Sequence, residues 1–100
     1  MNMRHYWLGI ALVTAASAAA AEEPLKAITD ITALTCRDIM ASDDRGRELS
    51  MAYMHGYLNG KANSTALELD KNAAITDKVR DHCLDNPTAK FVETFETLAK

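Results

Sequence analysis

Two cysteines, Cys36 in "TCRD" and Cys83 in "VRDHCLDNP", are the residues of this 100-residue chain with the widest choice of chemistry. Thiols so spaced could form a bridge, hold a metal, act as a nucleophile or lie buried as ordinary apolar groups. His82 adjoins Cys83, yet neighbouring residues on a helix point about 100° apart, and a closed zinc site needs four ligands. Only His55 and His82 lie beyond the N-terminal segment, and no C-x-x-C spacing occurs. The fourteen Asp and Glu residues are spread along the chain, with no Ser, His and Asp arrangement and no phosphate-binding glycine loop. The pattern argues against an enzyme, and it implies neither a metal nor a cofactor.

Which cysteine chemistry applies depends on the compartment. The chain opens "MNMRHYWLGIALVTAASAAAAEEP": Arg4, then an apolar run from Leu8, then small residues up to Glu22. This is the layout of a secretory signal peptide over residues 1–21, with cleavage expected between Ala18 and Ala21. The run is alanine-rich and broken by Thr14 and Ser17, whereas a spanning helix needs about 20 strongly apolar residues. No later run is long enough to span a bilayer, so residues 22–100 are expected to form one exported domain in the periplasm. Without Arg4 that domain has ten Lys and Arg against fourteen Asp and Glu, a net charge of −4. An acidic domain with no basic stripe is a poor partner for nucleic acid.

A domain of this size buries only about 60 per cent of its unfolded surface and gains little from its core alone. It needs a covalent staple, and in an oxidising compartment two distant cysteines supply one. Cys36 and Cys83 are therefore expected to pair.

The elements that must bring them together are helical. Thr35 followed three residues later by Asp38 is a capping-box pattern that starts a short helix at Cys36, with Ile39 and Met40 one turn on. "ASDDRG" favours a turn. In "RELSMAYMHGYLNGK", Leu49, Ala52, Tyr53, Gly56, Tyr57 and Gly60 fall on one helical stripe, which is expected to pack inside the domain or across a dimer. Gly60 suits the helix stop, and Gly56 suggests a backbone passing close by. "ANSTALELDKNAA" reads as a loop, the sequon Asn63-Ser64-Thr65 included. A third helix is expected from Ala73 or Thr76 to Leu84, with Ile75, Val79 and Cys83 on its inner face. Asn86 as N-cap and Pro87 at the first position would open a fourth, reaching about Ala99, with Phe91, Phe95 and Leu98 inward and Lys90, Glu93 and Glu96 facing water. The expected fold is all-α, about four helices with one disulfide.

A signal peptide, Cys36-Arg37-Asp38-Ile39, a tyrosine-rich middle helix with "GYLNGK", and Cys83-Leu84-Asp85-Asn86-Pro87 before an aromatic last helix together resemble the HdeA/HdeB family of periplasmic acid-stress chaperones. The resemblance covers Leu34 to Phe95. It implies a disulfide-linked helical fold, a homodimer near neutral pH, that loosens in acid and holds unfolding periplasmic client proteins without ATP. Well-known members often carry tryptophan in the middle helix and a lysine-rich tail, whereas residues 22–100 contain no tryptophan and end in Lys100 soon after Leu98.

Elementary electrostatics fits an acid response. Carboxylates titrate near pH 4, so strong acid takes the exported domain from −4 to about +12 before termini. Capped or paired carboxylates lose their stabilisation as pH falls, and Asp38 and Asp85, near helix ends, are the candidate pH sensors. Acid commonly leaves helical, poorly packed states with apolar surface exposed. Met40, Met51, Tyr53, Met54, Tyr57 and Leu58 are the candidate client-binding or dimer surface, and polarisable methionine suits such contact as well as core filling. The rival reading is a periplasmic immunity protein of the Tai type, which also uses export, cysteines and a "GY…G" helix, and which binds one toxin at neutral pH.

Overall fold

A computed structural model describes residues 22–100. The leader read over residues 1–21 lies outside them. A 3-10 turn at Ile31–Ala33 precedes α1 (Cys36–Met40), α2 (Asp44–Lys61), α3 (Leu69–Asp85) and α4 (Phe91–Leu98). Among the described residues the fold is all-α, with four α-helices and one Cys36–Cys83 disulfide that ties α1 to α3 at a Cα separation of 4.9 Å.

The capping box at α1 forms as its residue types require. The Thr35 hydroxyl accepts from the Asp38 N–H (3.3 Å), and the Asp38 carboxylate accepts from the Thr35 N–H (2.9 Å). The N–H groups of Cys36 and Arg37 remain, and they donate to the carbonyls of Ala89 (2.8 Å) and Pro87 (2.9 Å). Every free donor at the start of this five-residue helix is thus satisfied, two of them by the loop before α4.

That use of the loop overturns the expected start of the fourth helix. Asn86 closes α3 instead, its N–H (2.9 Å) and its side-chain amide (3.0 Å) both donating to the His82 carbonyl. Pro87 to Ala89 then turn, Thr35 and Lys90 pair as an isolated antiparallel bridge, and α4 begins only at Phe91. Proline at position 87 still fits, because this turn uses its carbonyl and not the N–H it lacks.

The break between α1 and α2 is shorter than expected. Asp43 caps α2 by accepting from the Gly46 N–H (2.7 Å), which places Gly46 inside the first turn. A Cβ there would come within 3.0 Å of Asp43 Oδ1 and 3.2 Å of Ser42 Oγ, so glycine leaves room for the cap. Arg47 reaches back to the carbonyls of Met40 (3.2 Å) and Ser42 (2.7 Å) and pairs with Asp44. It thereby satisfies acceptors left free where α1 ends.

Helix α2 also stops later than Gly60. Asn63 adopts a left-handed conformation (φ 53°), its N–H donating to Gly60 O (3.1 Å) while the Ser64 N–H donates to Asn59 O (2.8 Å). This is a Schellman stop with asparagine in the position glycine more often takes. Helix α3 starts four residues earlier than Ala73, at Leu69, where Glu68 pairs with Lys71 (3.3 Å). The expected inner face holds: Ile75, Val79 and Cys83 are buried. They meet Cys36 and Ile39 of α1, Met51 and Met54 of α2, and Phe91 and Phe95 of α4 in one core. The two phenylalanine rings pack edge to face at 5.9 Å.

Candidate functional site

Helix α2 has two apolar sides, and the chain covers one of them. The covered side holds Ser50, Met51 and Met54, with Arg47 and Leu58 half-buried at its ends. The other is the stripe of leucine, tyrosine and small residues. Leu49 is 58% exposed, Tyr53 57% and Tyr57 43%, and Ala52, Gly56 and Gly60 are exposed between them. Among the described residues nothing lies within 4 Å of where a Cβ at Gly56 or Gly60 would stand. The backbone expected to pass close to Gly56 is therefore not supplied by the domain itself.

The tyrosine rings lie nearly parallel, 6.5 Å apart, and Lys61 Nζ stands 5.2 Å from the Tyr57 centroid. This i, i+4, i+8 arrangement follows from helical spacing. Beside it, the segment from Pro24 to Leu34 and α2 together line an open groove of about 920 Å³. Leu25, Ile31 and Leu34 form one wall, Leu49, Tyr53 and Tyr57 the other, and Met54 and Val92 also line it. Lys26, Asp30, Asp43 and Arg45 add charge at its margins.

The six residues expected to form a client or dimer surface fall into three positions. Met51 and Met54 lie in the core, Met40 and Leu58 pack half-buried against it, and Tyr53 and Tyr57 are exposed. In the folded chain they do not form one continuous patch; the tyrosines share theirs with Leu49 and the glycines. Among the described residues no three His, Cys, Asp or Glu side chains come together as a metal site.

A family model described as the HdeA/HdeB family matches residues 6–93. This chain belongs to the HdeA/HdeB family. Searches of curated proteins and of solved structures gave no match. HdeA/HdeB membership agrees with the disulfide-tied four-helix fold.

Of the two candidate sensors, Asp38 is bound into the α1 cap, its Oδ2 accepting from both the N–H (2.9 Å) and the hydroxyl (3.0 Å) of Thr35. Asp85 is exposed at the last position of α3. Two further groups went unread in the sequence. Asp30 caps the 3-10 turn, and hydrogen bonds from the Thr32 hydroxyl (2.7 Å) and N–H (3.0 Å) hold its carboxyl below the usual aspartate range. His55 is half-buried, its Nε2 2.8 Å from Thr76 Oγ1 and its ring edge to face with Phe95 at 4.8 Å. Burial pushes its pKa below the ordinary histidine value, partly opposed by the Asn72 backbone carbonyl. The signal for His55 was its place beside Met54 and four residues after Met51, at the border of the covered face.

Proposed function

We propose that this HdeA/HdeB-family chain is an ATP-independent periplasmic acid-stress chaperone. It is a homodimer near neutral pH, loosens as pH falls, and then binds unfolding client proteins and keeps them from aggregating. The observation that carries the reading, beyond family membership, is the unpartnered apolar face of α2. At neutral pH a second copy covers it: Gly56 and Gly60 allow another helix to approach closely, and Leu49, Tyr53 and Tyr57 supply the apolar area. In acid the carboxylates are neutralised, self-repulsion rises, and the dimer separates. Loosening then adds Met40, Met51, Met54 and Leu58 to the tyrosines already outside. The Cys36–Cys83 bridge limits how far the chain opens and keeps α1 and α3 together for refolding.

Sedimentation of the oxidised protein with an acid-labile enzyme, at pH 7 and at pH 3, tests this. The expected result is a dimer alone at pH 7 and a complex with the client at pH 3. No complex in acid would refute the chaperone reading. A single stoichiometric partner recovered from neutral periplasm would favour the immunity-type alternative.

A further inference from the structure

We propose that His55 is the first switch in acid loosening: its protonation at the junction of α2, α3 and α4 releases α2 from the rest of the core before the carboxylates titrate. This rests on the acid-loosening reading above and names the group that sets its onset.

The geometry places His55 where one added charge acts on three helices. Its ring projects from α2, meets Thr76 of α3 through Nε2 at 2.8 Å and lies 4.8 Å from the Phe95 ring of α4. Among the described residues this is the one hydrogen bond between side chains of α2 and α3. Phe95 is wholly buried and touches Phe91, so the His55 ring edges onto the centre of the core. Helix α3 is tied to α1 by the disulfide, whereas α2 has no covalent tie across the core. Helix α4 likewise lacks such a tie, but α2 is the helix that carries both the exposed tyrosines and the buried Met51 and Met54, so its lifting is what uncovers the methionines.

The charged groups around this junction do not stabilise an imidazolium. On α3, Glu68 and Arg80 share the stripe of Asn72 and Thr76, and they are engaged with Lys71 (3.3 Å) and Asp77 (4.0 Å) respectively. On α4, Glu96 follows Phe95 and is half-buried; on α2, Glu48 lies two turns back and is exposed. Burial is the larger influence on His55 and favours its neutral form, and the Asn72 carbonyl only partly offsets it. Because the unfolded chain takes up the proton at a higher pH than the folded one, the stabilisation is complete above about 6.5. It is lost as pH falls from there through the lower folded value. That window opens above the carboxylate range near 4.

Dye binding to exposed apolar surface, followed from pH 7.5 to 3 on the oxidised exported protein, on His55→Gln and on His82→Gln, tests the switch. Glutamine retains an amide that can bond Thr76 and does not protonate. Dye binding is expected to begin below about pH 6.5 in the parent and His82→Gln, and to be delayed to about pH 4 to 5 in His55→Gln. Coincident onsets in all three, or an equal delay in His82→Gln, would overturn the proposal. Should His55→Gln not fold at neutral pH, NMR of the parent decides. The Thr76 methyl and Phe95 ring signals must move with His55 protonation, and signals that stay fixed through that titration would overturn it. The client assay is independent: absence of client binding with the onset still shifted rejects the chaperone reading and leaves the switch standing.

Discussion

Replacing Cys36 and Cys83 together by alanine removes the only covalent tie across the core, and the cost can be worked from the fold. The bridge closes a loop with a sequence separation of 47 residues. In the chain-entropy model that closure is worth about 4 kcal/mol at 25 °C. A domain the size of residues 22–100 has a total stability of only about 4 to 12 kcal/mol. Both sulfurs are buried, so the alanines also lose some apolar contact with Ile39 and Val79. The double variant should lose a third or more of the stability measured by urea unfolding at pH 7. It should also fail to regain its near-ultraviolet dichroism after a pulse at pH 2, while the parent recovers. A loss below about 1 kcal/mol with full recovery from acid would refute both the entropic argument and the role assigned to the bridge in limiting opening.

Four other outcomes follow from the same contacts. Thr35→Ala deletes the acceptor for Asp38 N–H and a donor to Asp38 Oδ2, and should lower the urea-derived stability by about 1 kcal/mol. Tyr53→Ala combined with Tyr57→Ala alters only exposed rings, so unfolding of the monomer should shift by no more than about 0.5 kcal/mol. The same variant, and Gly56→Leu separately, should sediment as monomers at pH 7 under conditions where the parent is a dimer. Unchanged dimers would place the interface elsewhere. Because burial lowers the His55 pKa, the parent's urea midpoint should decline as pH falls below about 6.5, before carboxylates titrate; a flat profile from pH 7 to 5 would contradict that.

Much of the fold was legible because local chemistry and burial agree. Thr35 and Asp38 form the cap their spacing predicts, Ile75, Val79 and Cys83 share one inner face, and the cysteines meet. The side of α2 that faces the core was not legible for a physical reason: two stripes on the helix satisfy helical spacing, and the stripe expected to pack inside the domain or across a dimer is exposed in the single chain. The one with Leu49, Tyr53 and Tyr57 is the more apolar, yet the one with Arg47, Ser50, Met51 and Met54 is covered. Its polar members are accounted for only in three dimensions, Arg47 by the carbonyls of Met40 and Ser42, and Ser50 by that of Gly46 (2.7 Å). Asn86-Pro87 has the form of a helix start, but the donors of α1 need acceptors from that loop, and this long-range demand outweighs the local preference. The exposed third of the candidate surface, Tyr53 and Tyr57, could be named from its residue types. For His55 the sequence offers only its place beside Met54 at the border of the covered face, because its partners Thr76 and Phe95 lie 21 and 40 residues further on.

The most direct test of the account is light scattering from an acid-labile client taken through pH 2 to 5 and returned to neutral, with and without the oxidised protein. The account predicts suppressed aggregation that appears only after acid exposure and coincides with dye-detected apolar surface. No protection at any pH, with the protein remaining compact throughout, would contradict it.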